Sequence, residues 1–290
     1  MSEKSTILLH LDTDTHPSSF DRVVAVDSGV AHLFSYGGVS PKQVMPLVHG
    51  CIFTRDAKDL HRTAIFIGGS DVGAGEAVLA EVRKHLLPQF GLTVSAMLDS
   101  NGANTTAAAA VRAAGRHANL DTATSLVLGG TGPVGQRVAR LLARHGGHVR
   151  IGSRSKERAE AACAAVRTSV PGANVESVCV SSSSDAPIAL EGRELVVAAG
   201  APGALLLPKK YRSSAKHLRL LIDLNAVPPA GIEGVEVTDK ATTRDGIIGY
   251  GAIGVGGTKM KIHKAAIAEL FARNDAVLDI EEIYQIALRF

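Results

Sequence analysis

Thr124-Ser125-Leu126-Val127-Leu128-Gly129-Gly130-Thr131-Gly132-Pro133-Val134-Gly135 is the stretch on which the fold turns. Ser125 to Leu128 is an apolar run of strand length, and Gly130, Gly132 and Gly135 have the spacing G-x-G-x-x-G. The first glycine of such a loop allows a tight turn. The second lets a pyrophosphate approach the backbone, and the third permits close helix packing. The pattern after it predicts an amphipathic helix from Val134 to His145. That helix start would offer free N–H groups and a partial positive charge to phosphates. Alone the glycine spacing is weak. Between a strand and a helix it predicts a dinucleotide site at Gly130, Thr131, Gly132, Pro133, Val134 and Gly135.

The next strand bears on which nucleotide is bound. Sites that prefer NAD usually place an acid about 20 residues on, against the ribose hydroxyls. Here a strand predicted over His148 to Ile151 runs into Gly152-Ser153-Arg154-Ser155-Lys156, and the first acid is Glu157. A hydroxyl at Ser153, a guanidinium at Arg154 and an ammonium at Lys156 suit a 2′-phosphate. The same residues also suit an ordinary solvated helix start. NADP is the expected cofactor, with use of NAD left open.

Working outward, strands and helices alternate on both sides of the loop. Upstream, strands are predicted at Thr6 to Leu11, Ala31 to Tyr36, Thr63 to Ile67 and Leu92 to Leu98. Helices are predicted at Pro17 to Ala25, Pro41 to Val48 (Ser40 as N-cap, Pro41 at the first helical position), Gly73 to Leu87 and Asn104 to Gly115. Downstream, strands are predicted at Asn174 to Val180, Leu195 to Ala198 and Leu218 to Asp223. Helices fit Lys156 to Ser169, Pro208 to Ser213, Lys259 to Phe271 and Ile280 to Leu288. Such alternation implies an α/β fold: a Rossmann-type, doubly wound parallel sheet domain plus a second α/β domain. The polar stretch Arg116 to Thr122 reads as the boundary. The expected domains are 1–121, completed by C-terminal helices in 258–290, and 122–257 for the dinucleotide.

In a doubly wound sheet the loops after the strand C-ends line the ligand crevice. Ala199-Gly200-Ala201-Pro202-Gly203 is placed to pass over the nicotinamide ribose. Asn225 to Pro229 is placed to close the pocket. Ala199, Gly200 and Asn225 are therefore cofactor candidates, although both loops also read as plain turn punctuation. Gly249 to Gly257 reads as a glycine-rich turn that allows close approach to a planar ring. Lys259 and His263, four apart, share a face of the helix that follows.

Composition removes other classes. The chain has 290 residues, 46% apolar and 20% charged, with a net charge of +3 and scattered basic residues, so nucleic acid is not an expected partner. No apolar run approaches the ~20 residues of a membrane span, and the N-terminus lacks a signal-peptide core. Cys51, Cys163 and Cys179 show no C-x-x-C spacing and read as reduced, mostly buried thiols of a cytoplasmic protein. Asp12, Asp14 and His16 read as strand-end and cap residues rather than metal ligands, and no metal is expected. No nucleophile triad stands out. A dehydrogenase manages without strong acid–base residues when hydride loss leaves a stable cation.

The chain resembles the NAD(P)-dependent methylene-tetrahydromethanopterin and methylene-tetrahydrofolate dehydrogenases of C1-metabolising bacteria. The resemblance rests on Asp12-Thr13-Asp14 with Pro17-Ser18 and Phe20-Asp21, on Leu98 to Gly102 with Asn104-Thr105-Thr106, and on Gly130 to Gly135. It continues through Asn225-Ala226 with Pro228-Pro229, and Gly254-Val255-Gly256-Gly257 with Lys259, Lys261 and His263. It implies reversible hydride transfer from the methylene bridge of a reduced pterin to NAD(P)+. It implies that Phe20 packs on the pterin side and that Thr105, Lys259 and His263 hold the pterin head group, Lys259 through a pterin oxygen. By the same resemblance Asp14, Asp99, Asn101 and Gly102 line the substrate site, and the protein is a homo-oligomer, a trimer or a dimer of trimers. Tetrahydromethanopterin is the first-choice carrier and tetrahydrofolate the second. Two rivals share the NADP loop: a shikimate-dehydrogenase-like oxidoreductase and a non-catalytic NADP-sensing module.

Overall fold

The computed structural model describes residues 4–212 and 215–290, so the first three residues of the N-terminus, Met1 to Glu3, lie outside the described residues. The chain forms two compact units. The first comprises residues up to Thr105 together with Met260 to Phe290, and the second runs from Thr106 to Lys259. The divisions fall inside helices α4 (Ala103–Ala114) and α8 (Ala252–Glu269), the first of them upstream of the polar stretch that reads as a boundary in the sequence.

In the first unit, strands β1 (Ile7–Asp12), β2 (His32–Tyr36), β3 (Thr63–Gly68), β4 (Ser95–Leu98) and β12 (Val277–Leu278) form one sheet, ordered β12-β4-β3-β1-β2. Every pair is parallel. Helices α1 (Ser19–Asp27), α2 (Pro41–Ile52), α3 (Val72–His85) and α9 (Ile280–Ala287) belong to the same unit. Alternation along β1 decides which side chains meet the core. Leu9 and Leu11 join Val44, Ile52, Ile65, Ile67, Val78 and Leu98 in one apolar cluster. His10 and Asp12 point to the other face. The sheet order reverses beside β1, because β2 lies on one side of it and β3 on the other. Loops after β1 and β3 therefore diverge and leave a crevice at the strand C-ends.

The second unit repeats the scheme. Its sheet runs β10 (Lys240–Arg244), β11 (Ile247–Tyr250), β9 (Leu220–Asp223), β8 (Leu195–Ala198), β5 (Thr124–Leu128), β6 (His148–Ser153), β7 (Val175–Cys179). All pairs are parallel except the β10–β11 hairpin. Helices α5 (Pro133–His145), α6 (Lys156–Ser169) and the short α7 (Ala186–Leu190) complete the crossovers. Here the order reverses between β5 and β8, the place where a dinucleotide sits in this architecture.

Three sequence expectations change. The glycine-rich turn expected at Gly249 to Gly257 is instead the end of β11 and the start of α8, which begins at Ala252 rather than Lys259. Gly251 and Gly254 serve backbone packing: a Cβ on either would collide with the carbonyl of Glu236 or Asp239. The helix expected at Pro208 to Ser213 is one 3-10 turn, Lys209–Tyr211, and Ser213 lies outside the described residues. The β10–β11 hairpin is an addition, its turn set by Asp245 and Gly246 at positive φ.

Glycine packing is directly testable. A Cβ on Gly135 would stand 2.5 Å from the Gly129 carbonyl oxygen and 2.7 Å from the Gly130 Cα, so Gly135→Ala must displace loop backbone. A loss of about 1–3 kcal/mol is expected from such overpacking, read by urea denaturation. Gly50→Ala, in α2 with nothing within 4 Å, is the control. It should be neutral or gain about 0.5–1 kcal/mol.

Candidate functional site

The nucleotide loop is built from backbone. Gly129 carries the positive φ of the turn (+68°), so the tight turn lies one residue before the glycine to which the spacing assigns it. A Cβ on Gly129 would lie 2.6 Å from the Gly200 Cα, and one on Gly130 would lie 2.7 Å from Ile151. Gly132 differs. A Cβ there would meet its nearest atom at 3.4 Å, an ordinary contact, so the protein itself does not demand glycine at this position. Close approach of a ligand does. Gly132 is the N-cap of α5, and Pro133 at the first helical position sacrifices no needed donor. Gln136 Nε2 donates to the Thr131 carbonyl at 2.8 Å and steadies the turn. These residues fit a dinucleotide phosphate.

At the end of β6, Ser153 is buried and its hydroxyl accepts the Ser155 N–H at 3.3 Å. Ser155 caps α6 by accepting the Arg158 N–H at 3.2 Å. Ser155 serves the helix start, while Arg154 and Lys156 stand exposed beside it. Lys156 Nζ lies 3.8 Å from Glu160. At the end of β9, Asp223 is almost fully buried and accepts the N–H groups of Asn225 (3.0 Å) and Ile232 (2.8 Å). Burial still raises its pKa above the usual carboxylate range. The Asn225 amide donates to the Pro229 carbonyl and accepts the Val227 N–H, both at 3.0 Å. Its amide therefore shapes its own loop, a use that its assignment as a cofactor contact did not anticipate.

In the first unit, the register places His10 beside Phe66 and Asp12 beside Gly68. Asp12 is fully buried and accepts the N–H groups of Asp14 and Ser18, both at 2.8 Å. Asp14 ties the loop after β1 to that after β3: its carboxylate accepts the Ser70 N–H (3.0 Å) and hydroxyl (2.8 Å). Asn101 holds a left-handed conformation, φ 55°, and its N–H donates to the Gly69 carbonyl at 2.6 Å. Gly102 is left-handed too. The sharp turn after β4 thus aims Asp99 inward. Asp99 accepts the Thr105 N–H at 3.0 Å and hydroxyl at 2.6 Å, and lies 3.9 Å from His263 Nδ1. Thr105, expected against the pterin head group, is fully buried and its hydroxyl positions Asp99.

Ring contacts run through the same region. His10 and Phe66 centroids lie 5.3 Å apart, Phe66 stacks on His263 at 5.6 Å, and Phe20 approaches His263 at 6.3 Å. Phe20 is half exposed on the rim, and Lys259, one helical turn before His263 on α8, is half-buried in the second unit. The structure thus gathers Phe20, Asp99, Thr105 and His263, with Asp14, Asn101 and Gly102 shaping the loops at their edge. It adds His10, Asp12, Asp21 and Phe66, which the sequence reading did not assign to the site. Period-2 alternation in β1 was the available signal, since it puts His10 and Asp12 on one face. The nitrogen and carboxylate oxygens of His10, Asp12 and Asp21 lie within 4.8 Å of one another, whereas His16 is exposed.

Fold and glycine-rich loop together define a Rossmann-type α/β protein with the pattern of a dinucleotide site. Comparison with known proteins narrows the class. Residues 19–101 match the family described as methylene-tetrahydromethanopterin dehydrogenase, N-terminal. The bifunctional protein MdtA of Methylorubrum extorquens is 42% identical, with 99% of each chain covered. The NAD(P)-dependent methylenetetrahydromethanopterin dehydrogenase of the same organism is 30% identical over 97% of each. This chain belongs to the methylene-tetrahydromethanopterin dehydrogenase family, as the sequence blocks imply. Among solved structures, 5-ketofructose reductase of Gluconobacter sp. strain CHM43 superposes with a TM-score of 0.56 at 16% identity, covering 99% of both chains. Shikimate 5-dehydrogenase of Listeria monocytogenes gives 0.55 at 14%, covering 97% of this chain and 96% of that one. These two likenesses concern the fold alone. Among the described residues, no helix is long and apolar enough to cross a membrane.

Burial makes His10 a source of acid sensitivity. Loss of hydration pushes its pKa from 6.5 down to about 4, against the opposing pull of Asp12. The unfolded chain then binds the proton first, so the stability linked to this group is complete above pH 6.5 and is lost as pH falls towards 4. The loss is on the order of 3 kcal/mol. Urea denaturation between pH 7.5 and 4.5 should show this slope, and His10→Gln should flatten it.

Proposed function

We propose that this protein catalyses reversible hydride transfer between methylene-tetrahydromethanopterin and NADP+. The observation that carries the reading is near-full-length identity to a dehydrogenase named for that substrate, combined with an intact phosphate loop. Bound at that loop, NADP+ would accept a hydride from the methylene bridge, leaving a methenyl cation whose charge two flanking nitrogens share. No proton is released, which agrees with the lack of a strong acid–base pair. The chain's own work is binding, orientation and exclusion of water. Phe20 offers an exposed ring to the pterin. His263, held between Phe66 and Asp99, offers a rigid edge. Lys259 binds a pterin oxygen rather than approaching the reacting carbon, where its charge would oppose the cation.

NADP preference is supported by Ser153, Arg154 and Lys156 and by the missing acid at the end of β6. Tetrahydrofolate is the second carrier in this reading. A cytoplasmic homo-oligomer completes it, on the family pattern and the unpaired cysteines.

NADP+ reduction at 340 nm, with methylene-tetrahydromethanopterin and methylene-tetrahydrofolate in parallel, tests the reading. Turnover with the first at higher kcat/KM is the expected result, and silence with both would overturn it. Arg154→Ala should weaken NADP+ binding by about 1–3 kcal/mol, the worth of a charged hydrogen bond, and should leave NAD+ binding unchanged. Lys259→Ala should abolish most turnover while near-UV circular dichroism stays that of the wild type.

A further inference from the structure

The carboxylate of Asp21 occupies an unusual position for a residue at the start of a helix. Ser18 is the N-cap of α1, and its hydroxyl accepts the Asp21 N–H at 3.2 Å. An acid at this third helical position commonly reaches back to the N-cap N–H. Here Asp12 already takes the Ser18 N–H, at 2.8 Å. Asp21 is released from that duty and faces the crevice between β1 and β3. A Cβ built on Gly68 would sit 3.4 Å from an Asp21 oxygen, 3.4 Å from an Asp12 oxygen and 2.7 Å from His10 Nε2. Glycine at position 68 lets the His10 imidazole and the two carboxylates crowd against β3.

The cluster formed there is rich in acceptors and poor in positive charge. Asp12 is fully buried with both oxygens engaged by backbone, and Asp99 is equally buried and engaged by Thr105. His10 has 1% exposure, and neither of its ring nitrogens makes a hydrogen bond, although Nε2 is 3.3 Å from Asp12 and aims into the same space. Burial keeps this imidazole neutral near pH 7, so it does not cancel the carboxylates. Arg22, the nearest cation on α1, is exposed. Asp21 is the one carboxylate of the group that keeps partial exposure, and desolvation already raises its pKa. A partly desolvated carboxylate gains most from a ligand that brings paired donors.

We infer that Asp21 is the anchor for the cyclic-guanidine edge of the pterin head group, its carboxylate accepting from the ring N3–H and the 2-amino group. This rests on the pterin reading above. A pterin presents one oxygen and, beside it, two parallel donors. A carboxylate is the matching partner for the donors. Phe20, the residue before Asp21, presents the ring surface from the same turn of helix. His10 and Asp12 stand behind Asp21 as its positioning residues.

The test uses the wild-type enzyme and a 2-desamino analogue of its reduced pterin substrate. Loss of one donor should raise KM about tenfold to a hundredfold, the cost of leaving a charged acceptor unmatched, with kcat little changed. Asp21→Asn should raise KM for the parent substrate by a similar factor, leave KM for NADP+ unchanged, and shrink the discrimination against the analogue to a few-fold. Asp21→Glu should recover part of both effects. A merely structural Asp21 would raise KM for both pterins equally and keep the discrimination, which would overturn the inference. Stoichiometric binding of Zn2+ or Mn2+ that Asp21→Asn abolishes would overturn it in favour of a cation site. Should Asp21→Asn fail to match the wild-type near-UV spectrum, the analogue on wild-type enzyme decides: equal KM values overturn the inference. Wild-type enzyme inactive with every reduced pterin would overturn the reaction assignment as well, whereas an active enzyme with no discrimination removes Asp21 alone.

Discussion

Where two neighbouring parallel strands send their connections to opposite sides, a gap opens between their C-terminal loops, and here backbone lines the gap in each unit. In the second unit Gly129 abuts Gly200, with no room for a methyl group between them. In the first, Gly69 at positive φ abuts Thr13, and Gly68 abuts the His10 imidazole. Side chains in these positions would pry the loops apart and fill the space a ligand needs. The remaining features of both sites follow from this. The glycine-rich loop keeps its narrow turn only because Gly129 and Gly135 have no side chains, and His10 packs against β3 only because Gly68 has none.

The two crevices have opposite electrostatics. In the second unit, a helix start and the cations after β6 suit a phosphate. In the first, Asp12, Asp21 and Asp99 converge with an imidazole that burial holds neutral. Buried carboxylates are tolerated when hydrogen bonds replace lost water. Asp12 receives two backbone donors and Asp99 receives a backbone donor and the Thr105 hydroxyl. Asp14 then locks the β1 loop to Ser70, so the acidic side is held by backbone contacts of neighbouring loops.

Much of this was legible in the chain. Periodicity predicted most strands and helices, because their apolar residues alternate at the period of the element that buries them. The glycine-rich loop was legible because its residues are contiguous and Gly129, Gly130 and Gly135 each answer a local steric demand. The sequence blocks carried the family for the same reason. The start of α8 was misread, since glycines at 251, 254, 256 and 257 look like a turn, whereas Gly251 and Gly254 let the helix pack on the 236–240 backbone.

Local patterns thus determined the α/β class, the glycine-rich loop between strand and helix and, through resemblance, the family. Tertiary structure alone decided what lies beside what in the first unit. His10, Asp21, Phe66 and His263 are separated by up to most of the chain, and only strand register and helix placement bring them together. It also decided that Thr105 would serve Asp99 and that Asn225 would serve its own loop. A residue type states which hydrogen bonds a side chain can make. Which partner it finds depends on distances that close only when the sheet forms.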